Sequence, residues 1–367
     1  MSLFMRNLKM ITVLGARPQF VKAALVSREM KLRKVIDEII VHTGQHFDEN
    51  MSDIFFTELN IPQPHYNLQI HGLPHASMIG RMMEGIEPII EKEKPDLLMV
   101  YGDANSTLAG ALAAKKMKVK LAHVEAGLRS FNNEMPEEIN RILTDRVSDI
   151  LFCPTDTAVQ NLKKEGFENS SCKIIKVGDV MQDAALFYTK QSAKESKIIS
   201  QLNLENKKFV LCTIHRQENT DVLENLNAII RGLNKISAET LIVFPAHPRI
   251  QQILKREKIP LQFTTIAPIG YLDMVALLKQ CSLVITDSGG LQKEAFFFKK
   301  HCIIVREQTE WLELIDHGFS TLVGTDETKM FDAYKILCTK EINFNVDLYG
   351  KGKACERIVD ELLEIKK

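Results

Sequence analysis

The chain has 367 residues, of which 45% are hydrophobic and 26% charged, the balance of a globular protein with room for two cores. Lys plus Arg and Asp plus Glu number 47 each, so the net charge is zero, which excludes a general nucleic-acid or anionic-membrane surface and leaves only a local basic pocket. Seven scattered cysteines without a CxxC pair exclude a disulfide framework or a zinc site and point to a reducing, cytoplasmic setting, and no run of 18 apolar residues suggests a membrane span.

The first half alternates apolar runs with helical periodicity. A strand is predicted over 10–14, a turn over 15–18 and a helix over 19–33. Strands follow at 38–43 and 96–101, helices at 75–93 and 106–116, and a strand at 121–125. A helix then opens at Pro136, with strands at 150–153 and 173–177 and a helix to about 165 between them. The pattern relaxes over 178–197, which marks the domain boundary. The second half repeats the alternation, with strands at 209–214, 241–245, 283–286 and 302–305 and a last helix over 352–367. Strand–helix alternation with short loops predicts parallel sheets covered on both faces, so the expected fold is α/β: two similar doubly wound domains facing a cleft.

Chemistry concentrates at the strand ends, where open α/β sheets bind ligands. The densest stretch is HVEAGLRSFNNEMPEEINR, residues 123–141. Glu125 ends a hydrophobic strand beside Ala126 and Gly127, and Asp103 ends the strand before it. With Glu137, three acids are expected to share one cleft, where crowding raises pKa values and divides acid from base roles. Glu137 and Arg141, spaced i,i+4, also read as a helix-surface ion pair. Arg17 sits in a turn aimed by Pro18, with Lys22 one helical turn on, and both suit an anionic ligand or a solvated surface pair.

Asp287-Ser288-Gly289-Gly290 reads as a phosphate cradle, because two glycines admit close backbone approach and the helix start offers free N–H groups. Asp287 reads equally as an N-cap, and Glu294 either accepts ribose hydroxyls or pairs with Lys293 and Lys299 at the surface. His215 and His247 each end an apolar strand in the second half, while His42, His46 and His123 do so in the first. No HxxxH-type spacing brings three ligands together, so no metal is expected. The turn GARP is not GxGxxG and no other strand end supplies that fingerprint, so no nicotinamide cofactor is expected either.

In order, GARPQFVK, GQHFD, YGDANST, HVEAGLR, MPEEINR, HRQEN, AHP, DSGGLQKEA and REQTEW resemble the non-hydrolysing UDP-N-acetylglucosamine 2-epimerase family, from Thr12 to the terminal helix. The resemblance implies two Rossmann-like domains in the GT-B arrangement, residues 1–180 and 181–351. UDP would bind on the second, and the helix 352–367 would pack back on the first. It matches Asp103, Glu125, Glu137 and His215 to catalytic positions. Arg17, Lys22, His46, His247, Ser288, Gly289, Gly290, Glu294 and Arg306 match positions around the substrate and its nucleotide. It also implies a homodimer.

Some residues depart from the UDP-N-acetylglucosamine branch. Ala16, Gln19 and Phe20 stand where that branch reads GTRPEA, Trp311 stands for an arginine and Phe296 for a proline. These variants resemble the sister branch acting on UDP-2,3-diacetamido-2,3-dideoxy-glucuronate, which serves surface polysaccharides such as lipopolysaccharide. The reaction expected is inversion at C2 through loss and re-addition of UDP. A hydrolysing 2-epimerase, a glycosyltransferase of the same fold and a sugar-nucleotide sensor are the rivals.

Overall fold

A computed structural model describes residues 6–45 and 63–364, with the side chain of Arg17 not described. Two compact units are present, residues 1–184 with 347–367 and residues 185–346. Each is built on one parallel sheet.

The first unit's strands are β1 (Leu8–Leu14), β2 (Ile36–His42), β3 (Tyr66–Asn67), β4 (Leu97–Tyr101), β5 (Lys120–Val124), β6 (Ile150–Cys153) and β7 (Lys173–Lys176), in the order β3-β2-β1-β4-β5-β6-β7. Every residue of β4 and β6 is buried. Helices cover both faces, so these strands read as continuous apolar runs rather than as alternation. Val13 pairs with Val41 on one side and Val100 on the other, which fixes the strand order reversal beside β1. That reversal is the switch point at which such sheets open a crevice beyond their carboxyl ends.

The second unit repeats the plan with β8 (Phe209–Thr213), β9 (Leu241–Pro245), β10 (Thr265–Ile266), β11 (Leu283–Thr286), β12 (His301–Ile304) and β13 (Ser320–Leu322), ordered β10-β9-β8-β11-β12-β13. Alternate residues of β8 feed separate cores. Val210 and Cys212 pack with the helices Leu223–Ser237 and Glu327–Leu337, whereas Phe209 and Leu211 pack with Tyr271–Gln280 and Gly289–Phe297. In Leu223–Ser237, Leu226, Ile229, Ile230, Leu233 and Ile236 recur at i, i+3, i+4 and i+7 and are all buried.

Residues 178–197 differ from expectation. They hold a continuous helix, Val180–Glu195, and the division between units falls inside it. Its buried face includes Asp183, Ala184, Ala185 and Ser192, so the helical period is present in burial but faint in hydrophobicity. Asp183 caps the terminal helix Ala354–Glu364, accepting from the Ala354 and Cys355 N–H groups at 3.2 and 2.9 Å. Arg33 to Asp360 at 2.7 Å adds a second tie of that helix to the first unit.

Candidate active site

In the first unit the turn after β1 is held by a buried amide. Gln19 Oε1 accepts from the Gly15 and Ala16 N–H groups at 2.8 and 2.9 Å, and its Nε2 donates to the Tyr101 carbonyl and Thr107 Oγ1, both at 2.8 Å. A glutamate here could accept the first pair but not donate the second. A side chain at Gly15 would strike Ser106 Oγ and Thr43 Oγ1, so only glycine fits. The helix Arg17–Arg33 begins at this turn and carries Lys22 inward, where its ammonium pairs with Glu125.

Glu125 and Gly102 converge from neighbouring strand ends. Both adopt left-handed backbone, φ 73° and 61°. For Glu125 this costs about 1–3 kcal/mol, the kind of strain that survives where the surroundings enforce it. The Glu125 and Ala126 N–H groups both donate to the Phe152 carbonyl at 3.1 Å, which turns the chain. A Cβ on Gly102 would lie 3.2 Å from Lys22 Nζ and 3.3 Å from Glu125 Oε2. Asp103 follows, its side chain 37% exposed, with Oδ2 accepting from Arg141 Nη2 at 2.7 Å and Nε at 3.0 Å.

The expected Glu137–Arg141 pair does not form. Arg141 instead reaches Glu138 Oε2 at 2.7 Å and Asp103. Glu138 is buried and receives the Ser130 and Phe131 N–H groups at 3.0 and 2.9 Å, pinning the loop ahead of the helix Pro136–Val147. Glu137 is half-buried at the start of that helix and makes no hydrogen bond or ion pair among the described residues. The acids Asp103 and Glu125 are thus each matched to a cation rather than crowded together.

Behind them lies a buried network. His123 Nδ1 is 2.7 Å from Asp145 Oδ1, and its Nε2 is 2.8 Å from the Gly102 carbonyl. Asp145 Oδ2 accepts from Arg129 at 2.7 Å and from Gly127 N–H at 3.0 Å, and Arg129 is bidentate on Glu165 at 2.7 and 2.9 Å. Burial alone would raise the Asp145 carboxyl, but the hydrogen bond from His123 and the charges of His123 and Arg129 hold it below its usual value. His42 is also buried, stacked on Phe20 at 5.0 Å and bonded through Nδ1 to Asn67 at 3.2 Å. His46 lies outside the described residues.

In the second unit Asp287, fully buried at the end of β11, is not a helix N-cap. It receives the His215 N–H at 3.1 and 3.0 Å, the Arg216 N–H at 3.0 Å, the Asn219 amide at 3.0 Å and the His215 ring at 3.1 Å. Burial opposes its ionisation, yet the His215 contact and the backbone donors hold its carboxyl below the ordinary range. The His215 side chain stays 54% exposed. Ser288 is the N-cap, accepting from Leu291 N–H at 3.5 Å at the head of the helix Gly289–Phe297.

A Cβ on Gly289 would meet Glu310 Oε1 at 2.5 Å and displace that carboxylate, whereas one on Gly290 would meet only Ser288 Oγ, at 3.9 Å. Glu310 accepts from the buried Arg306 at 3.0 Å and lies 4.0 Å from Arg216. Glu294 is buried, not at the surface, and accepts from Tyr271 Oη at 2.9 Å. His247 is exposed and caps the helix Pro248–Arg256. Phe296 packs on Phe319 at 4.7 Å, and the Lys293 ammonium sits 4.0 Å over the buried Trp311 ring. The sequence marked HRQEN only as a charged cluster after its strand, because the partner that Arg216 and Asn219 share, Asp287, lies about 70 residues on, and it offered no role for Tyr271, whose partner Glu294 is 23 residues away. Among the described residues, no three His, Cys, Asp or Glu side chains gather to hold a metal, and no helix is long and apolar enough to cross a membrane.

The family model for UDP-N-acetylglucosamine 2-epimerase matches residues 28–363. The chain is 51% identical over 359 residues to UDP-2,3-diacetamido-2,3-dideoxy-D-glucuronate 2-epimerase of Pseudomonas aeruginosa, covering 98% of this chain and 100% of that one. Among solved structures it is similar to Methanocaldococcus jannaschii UDP-GlcNAc 2-epimerase in complex with UDP-GlcNAc and UDP, at 41% identity and TM-score 0.89 over 97% of this chain and 99% of the other. The UDP-GlcNAc 2-epimerase of Neisseria meningitidis bound to UDP-GlcNAc gives 28% identity and TM-score 0.87, over 97% and 100%.

Proposed function

The chain belongs to the UDP-N-acetylglucosamine 2-epimerase family and is a UDP-sugar 2-epimerase of the GT-B fold class, and we propose that its substrate is UDP-2,3-diacetamido-2,3-dideoxy-glucuronate, epimerised at C2 to the manno form for surface polysaccharide synthesis. The observation that carries the substrate is the full-length likeness to the Pseudomonas aeruginosa enzyme; the buried Trp311 and Phe296 stand where the resemblance separates the two branches. UDP-N-acetylglucosamine is the competing substrate.

The C2 proton is not next to a carbonyl and is scarcely acidic, and a 3-acetamido group blocks a ketone at C3. Loss of UDP from C1 solves this. The C1–O bond breaks with its electrons going to UDP, an oxocarbenium-like centre forms, and a base takes the C2 proton to leave a 2-acetamidoglycal. Re-addition of UDP to C1 with a proton delivered to C2 on the opposite face gives the epimer. Asp103, half-exposed on a turn fixed by Arg141 and Asn140, suits the first base. Glu125 and Glu137 suit charge stabilisation at C1 and reprotonation at C2. His215, Arg17 and the Ser288–Gly290 helix start suit the departing diphosphate. Lys22, His46, His247, Glu294 and Arg306 complete the binding set for the sugar nucleotide.

NMR of the C2 configuration on each UDP-sugar tests this. In deuterated solvent the product should carry deuterium at C2, and the diacetamido-glucuronate should be preferred by about 10²-fold in kcat/KM. Retention of the C2 proton would exclude elimination. Free sugar in place of epimer would point to a hydrolysing enzyme, and activity only with an acceptor to a glycosyltransferase. The reading includes a cytoplasmic homodimer, supported by Ile139 and Leu143, 45% and 43% exposed one turn apart on the helix Pro136–Val147. Light scattering should give twice the 41.7 kDa chain mass, and cell fractionation should leave the enzyme with the cytosol.

A further inference from the structure

His123 touches neither acid, yet it holds the ends of both strands that carry them. It is fully buried on β5, two residues before Glu125. Its two ring nitrogens face a carboxylate oxygen of Asp145 at 2.7 Å and the Gly102 carbonyl oxygen at 2.8 Å. Both partners are acceptors, so a ring protonated on each nitrogen satisfies both contacts. A neutral ring would set a lone pair against a lone pair where both His123 and Asp145 are fully buried. The surrounding charges fit a cationic ring. Asp145 from the helix Pro136–Val147 and Glu165 supply two negative charges and Arg129 one positive, which leaves one negative charge for the ring to match.

The two turns are linked a second time by the backbone. Gly102 N–H donates to the Val124 carbonyl at 3.0 Å, between His123 and Glu125 in the chain. Gly102 therefore gives its N–H to β5 and its carbonyl to the His123 ring. Asp103 is the next residue, and Glu125 follows Val124 directly. Both turns are left-handed, a conformation that the local sequence does not enforce at Glu125 and that needs an external clamp.

We propose that His123, doubly protonated between Asp145 and the Gly102 carbonyl, is a positioning residue that keeps Asp103 and Glu125 in register for proton transfer. The role rests on the reading of those two acids as reacting groups.

Three kinds of measurement test it. His123→Asn keeps an amide near Asp145 but cannot reach Gly102, whereas His123→Gln carries its amide N–H to about the position of the lost ring Nε2. His123→Asn should lower kcat by about 10²-fold, since misplacement of about 1 Å costs that much, with KM and UDP affinity held within about threefold. His123→Gln should recover about tenfold of the loss. A normal kcat in His123→Asn, equal losses in both variants, or a fall in UDP affinity matching the fall in rate would each overturn the role. Nitrogen-15 NMR of the unsubstituted enzyme provides a readout that needs no folded variant. One histidine should show protons on both ring nitrogens, and a single neutral tautomer at His123 would overturn the proposal. Asp103→Asn and Glu125→Gln run alongside. If they stay active, the acid assignment beneath the proposal fails; if they are inactive while His123→Asn is not, the positioning role alone fails.

Discussion

At the first unit's switch point the group presented at the surface is an acid, Asp103 with 37% of its side chain exposed, and the group buried behind it is a histidine, His123. At the second unit's switch point the arrangement is inverted. The histidine His215 is 54% exposed and the buried group is an acid, Asp287. In both, a fully buried ionisable residue is spent on holding backbone: His123 on the Gly102 carbonyl, Asp287 on the His215 and Arg216 N–H groups. On the proposed function, the sign of the presented group matches the chemistry assigned to each end. Carboxylates suit proton transfer and a cationic sugar centre; an imidazole and a helix start suit a diphosphate.

The largest expected effects test that division of labour. Glu137→Gln should lower kcat by about 10²–10⁴-fold while UDP affinity, measured by calorimetry, stays within about threefold. A variant with normal turnover and weakened UDP binding would move Glu137 to the nucleotide side and erase the contrast.

Asp287→Asn should destabilise the second unit by about 2–4 kcal/mol, because an amide nitrogen would face the backbone donors that the carboxylate now serves. The sign of its pH dependence is set by the lowered carboxyl. Asp287 contributes stability that is present above the unfolded-state value of about 3.9 and is lost as pH falls through the lower folded value. Chemical denaturation at pH 7 and pH 3 should therefore show the gap between Asp287→Asn and the unsubstituted protein closing at the lower pH. A gap that widens in acid would show that Asp287 is not the anchor.

Next in size is a pair of glycine substitutions. Gly289→Ala forces Glu310 to move and should weaken UDP binding about tenfold with some loss of stability. Gly290→Ala has its nearest neighbour, Ser288 Oγ, at 3.9 Å, so thermal stability should be unchanged while UDP binding still weakens about tenfold through the blocked backbone approach. Unchanged UDP affinity in Gly290→Ala would take the helix start out of the diphosphate site.

The smallest effect runs in the opposite pH direction. Burial pushes the Glu38 carboxyl of β2 up to about 7, against the hydrogen bonds from Thr12 and Ser27. A carboxyl raised in the folded state contributes stability that is whole below the unfolded-state value and is lost as pH climbs towards about 7. Glu38→Gln, which keeps an acceptor for both hydroxyls, should be about 1 kcal/mol more stable than the unsubstituted protein at pH 8 and no more stable at pH 4. Urea melts at the two pH values check this.

Much of the fold was legible because parallel strands buried on two faces leave continuous apolar runs, and LLMVY and ILFC are such runs. Gly15 and Ser288–Gly290 were legible for a related reason. Turns and helix starts are set by the residues at the turn, so composition within a few positions carries them. The helix Val180–Glu195 was missed because its buried face is partly alanine, serine and aspartate.

Partners were not legible, since an ion pair is chosen by what tertiary packing brings within reach. Spacing offered Arg141 to Glu137, but packing gave it to Asp103, 38 residues earlier, and to Glu138. Asp287 looked like an N-cap, yet its donors come from 68 to 72 residues away. The sequence by itself determined which residue types stand at the strand ends, through local hydrophobic period and turn chemistry. Only the tertiary structure decided which of those residues is buried as scaffold and which is left wet. That choice depends on desolvation and on charges supplied by distant segments, and no local window contains them.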